Sequence, residues 1–158
     1  MHLPNDMNAG FGTSLNQLWD GNMQPKNYPY IFHNDGSGSF PQHLSFDLGK
    51  VYNHLDKVQE IGRGCCHNPT DFEVWGIADT AGAITHLPGN DPGWKNEALS
   101  KGWTLLTEVV RTDNGIAPFN QDLISNPPPV RFIMVRVIKT YDDPNYVNIS
   151  QFTFWDRE

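Results

Sequence analysis

The stretch HLSFDLGK, residues 43–50, alternates apolar and polar side chains and ends just beyond a glycine. Leu44, Phe46 and Leu48 fall on one side of an extended chain, while a serine and an aspartate fall on the other. This two-residue period predicts a β-strand that buries one face. A strand of this kind needs a partner layer, so the fold depends on how often the pattern returns.

The same alternation returns further along the chain. Residues 70–79, TDFEVWGIAD, alternate in this way, and WTLLTEVV, residues 103–110, is a weaker candidate. Residues 147–156, VNISQFTFWD, alternate again, and the pattern directs the two phenylalanines inward and Gln151 outward. These segments predict further half-buried strands.

Two strand-like segments depart from simple alternation. VRFIMVRVIKTY, residues 130–141, is apolar on both faces apart from its arginines, which predicts a central strand covered on both sides. In HLDKVQEIGRG, residues 54–64, Leu55 and Ile61 share a parity that Val58 does not. We therefore expect a β-bulge in this strand.

Long connections separate these segments, at residues 20–41, 78–102 and 111–129. Only WKNEALSKGW, residues 94–103, favours a helix, and it would be about two turns long. The chain also contains 14 Gly and 12 Pro, which suit turns and loops. Short alternating strands joined by long loops predict an all-β sandwich.

The size and charge of the chain restrict its function. Its 158 residues correspond to about one domain, predicted over 13–158, with residues 1–12 as an N-terminal arm or linker. A formal charge of −7 argues against a nucleic-acid or anionic-membrane partner. No apolar run reaches the ~20 residues that cross a bilayer, and no signal-peptide pattern is present. We expect a soluble domain whose signal or lipid anchor lies outside this sequence.

The stretch GRGCCHN, residues 62–68, raises several alternatives. Zinc is disfavoured because adjacent side chains diverge, whereas ligand pairs are usually spaced by roughly two to four residues. A cysteine nucleophile needs a base in reach, which the sequence adjacency of His67 does not supply. A disulfide between Cys65 and Cys66 is open for an exported protein. Two free, mostly buried thiols are favoured, because neighbouring Cα atoms are closer than disulfides usually allow.

Three stretches in a set order resemble a known family. They are LWDGN, then HLSFDLGK leading through LDKVQEIGRG to FEVWGIAD, and finally the pair VRFIMVRV and ISQFTFW. In this order they resemble the discoidin or coagulation-factor type C domains over about residues 15–156. The nearest resemblance is to versions at the ends of Bacteroidetes cell-surface and periplasmic lipoproteins, many of them related to carbohydrate-binding modules.

The resemblance implies the galactose-binding-like fold, an eight-stranded antiparallel jelly-roll β-sandwich whose loops at one end hold a ligand, commonly a sugar. It also implies a structural calcium ion in many members, and Asp20 and Asn22 match the turn that contributes to it. The family frequently has a glutamate near the start of the last strand, where this chain has Gln151. The alternative is that Asp20 caps its own turn before Gly21.

The resemblance also places Arg63 and His67 at the ligand-binding end, with Asn68 in the turn that follows. Arg63 offers a planar fork of donors, and a neutral His67 offers one donor and one acceptor; both suit sugar hydroxyls. The alternative is that Arg63 pairs with a neighbouring aspartate and holds the loop.

An exposed aromatic ring would complete a sugar site by stacking on the apolar face of the sugar. Trp94 lies among turn formers and charges in LPGNDPGWKNE, so we expect it to stay exposed. Tyr30, or else Tyr28, in NYPYIFHNDG is the second choice, beside His33.

These features predict a non-catalytic carbohydrate-binding module, a monomeric domain of a larger exported glycan-utilisation protein of the periplasm or outer-membrane surface. A jelly-roll glycan hydrolase or lyase is one alternative, which needs two opposed carboxylates. No nucleophile elbow, phosphate loop or zinc-helix motif supports it, although four aspartates lie in predicted loops: Asp35, Asp91, Asp113 and Asp122. The second alternative is a protein-docking domain of a surface complex. An exposed apolar patch would favour docking, and a cleft with convergent polar groups would favour sugar.

Overall fold

A computed structural model describes residues 1–157, and its regular structure is almost entirely strand. The strands are β1 (Phe32–His33), β2 (Gln42–Tyr52), β3 (Leu55–Ile61), β4 (Pro69–Ile77), β5 (Thr104–Val110), β6 (Phe119–Asp122), β7 (Val130–Thr140), β8 (Asn148–Ile149) and β9 (Gln151–Asp156). A short 3₁₀ helix (Leu15–Trp19) precedes them, and α1 (Trp94–Ser100) lies between β4 and β5. Within the described residues, no helix is long and apolar enough to span a membrane.

Two antiparallel sheets form the body of the domain. One has the strand order β2-β7-β4-β5 and the other β6-β3-β9, while β1 and β8 form a two-stranded sheet. Every pair of strands is antiparallel. The predicted all-β sandwich is confirmed. The described residues contain nine strands, of which β1 and β8 have only two residues each.

One of the two central strands of the larger sheet is β7, which confirms the prediction of a central strand over these residues. It lies between β2 and β4, and Ile133, Met134, Val135 and Val137 are all fully buried. One face of β7 contributes to the core between the two sheets, and Met134 on the other face packs under α1. Both faces are therefore covered, which explains the lack of alternation in this strand.

The β3 strand contains the predicted irregularity. Its register against β9 shifts between Leu55 and Lys57, which confirms the β-bulge. The prediction for Gln151 at the start of β9 is wrong, because this side chain is buried and not directed to solvent. The 3₁₀ helix Leu15–Trp19 packs against β9 and covers it.

The N-terminal residues 1–12, which we expected to form an arm or linker, pack against the domain. The Met7 side chain is buried in the main core, and its N–H donates to the His43 carbonyl at 2.7 Å. The Asp6 carboxylate accepts from His43 Nδ1 at 2.5 Å and from the Ser45 hydroxyl at 3.0 Å. The expectation fails because β2 presents polar partners on its outward face, and these residues satisfy them.

The predicted loops contain short elements that periodicity could not reveal. The β1 strand lies within residues 20–41, and β6 lies within residues 111–129. Two and four residues are too few to establish an alternating pattern. The two-turn helix predicted over 94–103 is confirmed as α1.

Candidate functional site

Three of the predicted site residues meet at one end of the sandwich. Arg63 follows β3, His67 precedes β4, and His33 ends β1. Because β1 pairs with β8, His33 lies opposite Asn148, whose N–H donates to the His67 carbonyl at 2.8 Å. The fold therefore gathers these residues around Asn148.

Four rings pack together at this end, and we call them the ring cluster: Phe11, His33, His67 and Tyr146. The His33 ring lies 4.6 Å from Phe11, 5.4 Å from Tyr146 and 6.3 Å from His67, centroid to centroid. His67 and Tyr146 are 5.9 Å apart. Phe11 keeps 55% of its surface exposed, so the cluster presents an apolar ring to solvent.

The surroundings of His33 favour its neutral form. Burial lowers the pKa of His33, and the nearby positive charge of Arg63 lowers it further. The His33 Nδ1 atom lies 2.7 Å from the Asn34 carbonyl, which can only accept, so Nδ1 carries the proton. His33 Nε2 is therefore left as a hydrogen-bond acceptor at neutral pH.

Arg63 is held through its backbone and its Nε atom. Arg63 N donates to Asn68 Oδ1 at 2.7 Å, and Asn68 Nδ2 donates back to the Arg63 carbonyl at 3.0 Å. Arg63 Nε donates to Asn27 Oδ1 at 2.7 Å. Among residues 1–157 Arg63 forms no salt bridge, so the alternative in which it pairs with an aspartate is not observed. Its terminal nitrogens can donate to a ligand.

Asn68 supports the site and is not itself exposed to a ligand, which corrects the prediction. Its side chain is fully buried, and both of its polar atoms bond to the Arg63 backbone. A Cβ atom at Gly62 would collide with the Gly115 carbonyl and with Asn68. This close packing fixes the loop that carries Arg63.

His67 is fixed by the loop that follows β7. Its backbone has φ of +58°, its N–H donates to Asp142 Oδ1 at 2.8 Å, and its Nδ1 lies 3.2 Å from the same oxygen. Asp143 Oδ2 lies 3.6 Å from Nδ1. Burial raises the pKa of Asp143, but hydrogen bonds from the N–H groups of Tyr146 and Asn145 outweigh it, so the pKa is lowered overall. This side of the ring cluster is acidic.

Sequence reasoning missed Asn148, Tyr146 and Phe11. Asn148 is fully buried, and its Nδ2 donates to the Cys66 carbonyl at 2.8 Å. Its Oδ1 is buried without a hydrogen-bond partner among the described residues, although buried acceptors are almost always paired. A signal existed, because residues 146 and 148 share a parity and therefore a face of an extended chain.

Cys65 and Cys66 form a disulfide between adjacent residues. The favoured prediction of two free, mostly buried thiols is therefore wrong. Cys65 is exposed at the tip of the loop, while the Cys66 carbonyl is bound to Asn148. The alternatives of a zinc site and a cysteine nucleophile in this stretch have no support, since both sulfurs are oxidised.

Trp94 does not belong to this site, and the prediction that it stays exposed is wrong. It is the first residue of α1 and is fully buried against the larger sheet, 5.3 Å from the Trp75 ring. The Arg136 guanidinium lies 4.8 Å from its ring centroid. The turn-forming residues that precede Trp94 end where α1 begins, and the apolar face of α1 covers the outer side of β7. Tyr30 is 64% exposed, and Tyr28 is 52% exposed.

The turn at Asp20 and Asn22 does not fit a calcium ion. Asp20 Oδ1 accepts from Asn22 N–H at 2.9 Å, so Asp20 caps its own turn. Asp20 Oδ2 accepts from Lys26 Nζ at 2.8 Å. Burial raises the pKa of Asp20, but the Lys26 ammonium and the turn hydrogen bonds lower it overall. Within the described residues, no group of three or more acidic, histidine or cysteine side chains is arranged to hold a metal.

An apolar concavity lies away from the ring cluster, between the edge strands β2 and β9. It has a volume of about 450 Å³ and is lined mainly by apolar side chains, including Trp19, Phe46, Tyr52 and Phe154. Its composition suits an apolar partner. We take the ring cluster as the candidate ligand site because its polar donors and acceptors converge there, as recognition of a polar ligand requires.

Solved structures with the same fold are carbohydrate-binding and related domains. A SusE-like protein is 19% identical, with 98% of this chain and 94% of that chain covered and a TM-score of 0.70. The family 32 carbohydrate-binding module of C. perfringens NanJ, solved with galactose, is 18% identical, with 92% and 87% covered and a TM-score of 0.63. The lectin domain of lectinolysin, solved with Lewis B antigen, is 13% identical, with 95% and 89% covered and a TM-score of 0.62.

At these low identities the TM-scores establish the fold alone, and this fold is the jelly-roll sandwich that the resemblance implies. None of the curated proteins matches the chain. A family described as a domain of unknown function, DUF5000, matches residues 19–156, which is most of the chain. On this match, the chain belongs to the DUF5000 family.

Proposed function

We propose that this domain is a non-catalytic carbohydrate-binding module and that its ring-cluster end holds the glycan. The observation that carries the proposal is the convergence of unpaired donor and acceptor atoms beside an exposed aromatic ring. Arg63 supplies free guanidinium nitrogens, and His33 supplies an acceptor. The buried Asn148 holds the Cys66 carbonyl behind them. Phe11 supplies an exposed ring beside them.

A sugar matches this division of chemistry. Its hydroxyl groups both donate and accept hydrogen bonds, and the C–H face of a pyranose is apolar and packs on an aromatic ring. Vicinal hydroxyls suit the planar donor fork of Arg63. His67, fixed by Asp142, supplies a further polar edge, and Tyr30 is the second exposed ring near the Asn27 turn.

The similar solved structures support the same ligand class. The NanJ module was solved with galactose, and the lectinolysin lectin domain with Lewis B antigen. Galactose and Lewis B oligosaccharide are therefore the first probes for this domain. The similarity to a SusE-like protein supports a place in glycan utilisation.

Catalysis is not part of the proposal, because three of the four aspartates predicted in loops serve local structure, and Asp122 is the last residue of β6. Asp35 accepts from the N–H and hydroxyl of Ser37. Asp91 accepts from the Gly93 N–H, and Asp113 pairs with Arg111. These bonds engage each carboxylate within its own turn or ion pair.

The proposed setting is outside the cytoplasm, at the periplasm or outer-membrane surface, as a monomeric domain of a larger lipoprotein. The Cys65–Cys66 disulfide supports an oxidising compartment. Measuring the fraction of free thiols in the exported protein tests this setting, and two reactive thiols would contradict it.

Calorimetric titration with galactose and Lewis B oligosaccharide, after a glycan array, tests the site. A charge-assisted hydrogen bond contributes about 1.5–3 kcal/mol, so Arg63→Ala should weaken binding about ten-fold or more. Arg131→Ala is a matched control. Arg131 lies at the start of β7 and pairs with Asp47, whereas the loop that contacts His67 follows the other end of this strand, at Thr140. Equal affinity of Arg63→Ala and the wild type would rule out this location.

A second candidate is a protein-docking domain, which the apolar concavity between β2 and β9 favours. Trp19 on its rim is 42% exposed. If no glycan binds and Trp19→Ala alone abolishes capture by proteins of the same surface complex, docking replaces the carbohydrate proposal.

A further inference from the structure

Oxygen atoms of the 3₁₀ helix and of the turn after it face one ammonium group and one side-chain amide. Lys26 Nζ donates to the Gln17 carbonyl at 2.6 Å and to Asp20 Oδ2 at 2.8 Å. With the amide oriented to satisfy its surroundings, Gln151 Nε2 donates to the Leu18 carbonyl at 3.0 Å and to Asp20 Oδ1 at 3.2 Å. Two main-chain carbonyls and both oxygens of one carboxylate thus converge on two nitrogen donors.

Lys26 is built into the fold and is not a surface side chain that happens to be near. Only 5% of its side-chain surface is exposed. Its N–H donates to the Ser150 hydroxyl at 2.9 Å, and its carbonyl accepts from the Gly64 N–H at 2.8 Å. The ammonium group is therefore delivered to the oxygens from a backbone that is anchored on both sides.

The charges at this turn balance without a metal. Asp20 is the carboxylate of the set, and Lys26 neutralises it. Calcium prefers six to eight oxygen ligands and typically several carboxylates, whereas the position near the start of β9 holds an amide, Gln151. An ammonium and an amide each bring hydrogen atoms toward the shared oxygens, so they exclude a cation that needs the same lone pairs.

We propose that the Lys26 ammonium is a tethered substitute for the calcium ion that the family resemblance implies at this turn. The substitution makes the cation part of the chain, so it cannot dissociate or be chelated. It also links the 3₁₀ helix to the candidate site, because the next residue, Asn27, holds Arg63 Nε. The inference does not depend on the identity of the ligand.

Thermal melts with excess calcium and with excess chelator test the wild-type protein first. The melting temperature should be the same in both, whereas a calcium-binding native state would be stabilised by the ion. If calcium raised the melting temperature of the wild type and chelator reversed this rise, the proposal would be overturned. This test stands even if every variant failed to fold.

Two variants then test the cation pocket itself. Lys26→Met should lower the melting temperature by about 5 °C or more, because it leaves Asp20 without its counter-charge. Lys139→Met is the matched control, since Lys139 is exposed on β7, and it should shift the melt by less than about 2 °C. Equal melting temperatures for the two variants would refute the proposal.

The double variant Lys26→Met/Gln151→Glu should become calcium-responsive. It restores a second carboxylate and removes the tethered charge, so added calcium should raise its melting temperature by about 5 °C or more. If calcium did not change the melting temperature of the double variant, these oxygens would not form a cation site, and the proposal would fail.

Discussion

Replacing Glu60 by glutamine should make the fold less sensitive to alkaline pH. The Glu60 side chain is fully buried, and its Oε2 accepts from Arg111 Nη1 at 2.8 Å. The same guanidinium donates to both oxygens of Asp113, at 2.9 Å and 2.7 Å. One positive charge thus serves two carboxylates, so the cluster carries a net negative charge when both are ionised. A proton on Glu60 removes that excess.

The pKa values of the two acids differ accordingly. Burial raises the pKa of Glu60 to about 8, although the Arg111 charge opposes the rise and the Asp113 charge adds to it. The hydrogen bonds from Arg111 lower the pKa of Asp113. Because the folded state holds the Glu60 proton more tightly than the unfolded chain, this stabilisation is fully present below about pH 4.5 and is lost as the pH rises through about 8.

The magnitude follows from the difference between the two pKa values. A rise from 4.5 to about 8 corresponds to about 5 kcal/mol over the whole transition. Between pH 6 and pH 9 the same linkage removes about 3 kcal/mol. Glutamine cannot ionise, so the stability of Glu60→Gln relative to the wild type should rise by that amount over this range.

Urea unfolding of both proteins at several pH values measures the effect. Glu108→Gln is the control, because 57% of the Glu108 side chain is exposed, and its stability relative to the wild type should stay constant within about 0.5 kcal/mol. A difference between Glu60→Gln and the wild type that does not change with pH would mean that Arg111 keeps Glu60 ionised, and the reasoning would be refuted.

Three further predictions concern the core and the candidate site. Trp94→Ala should cost about 3–5 kcal/mol in urea unfolding, whereas Trp19→Ala should cost much less; equal costs would contradict the burial of Trp94. Glycan affinity should fall as the pH drops through the lowered pKa of His33, because protonation removes the Nε2 acceptor. Calorimetry at several pH values checks this, and the glycan affinity of His33→Gln should not show this dependence on pH. Replacing both Cys65 and Cys66 by alanine should leave glycan affinity unchanged, since only the Cys66 backbone contacts Asn148; a complete loss of binding by a folded variant would contradict it.

The strand content and the layer arrangement could be predicted from the sequence because alternation is a local property. The period of two in residues 43–50 specifies which side chains of β2 face the core, whatever lies opposite. The unbroken apolar run of β7 likewise requires cover on both faces. The placement of Arg63 and His67 at a ligand-binding end rests on the family resemblance, and it stays a prediction.

Only the tertiary structure decided what covers each outward face and which polar groups meet. Trp94 is buried because the outer face of β7 needs cover, and Gln151 is buried because the 3₁₀ helix packs on β9. Asn148 reaches Cys66 across 82 positions, and Lys26 N reaches Ser150 across 124. Local periodicity contains no information about contacts at such separations, since they arise only when the packing of the whole chain brings the segments together.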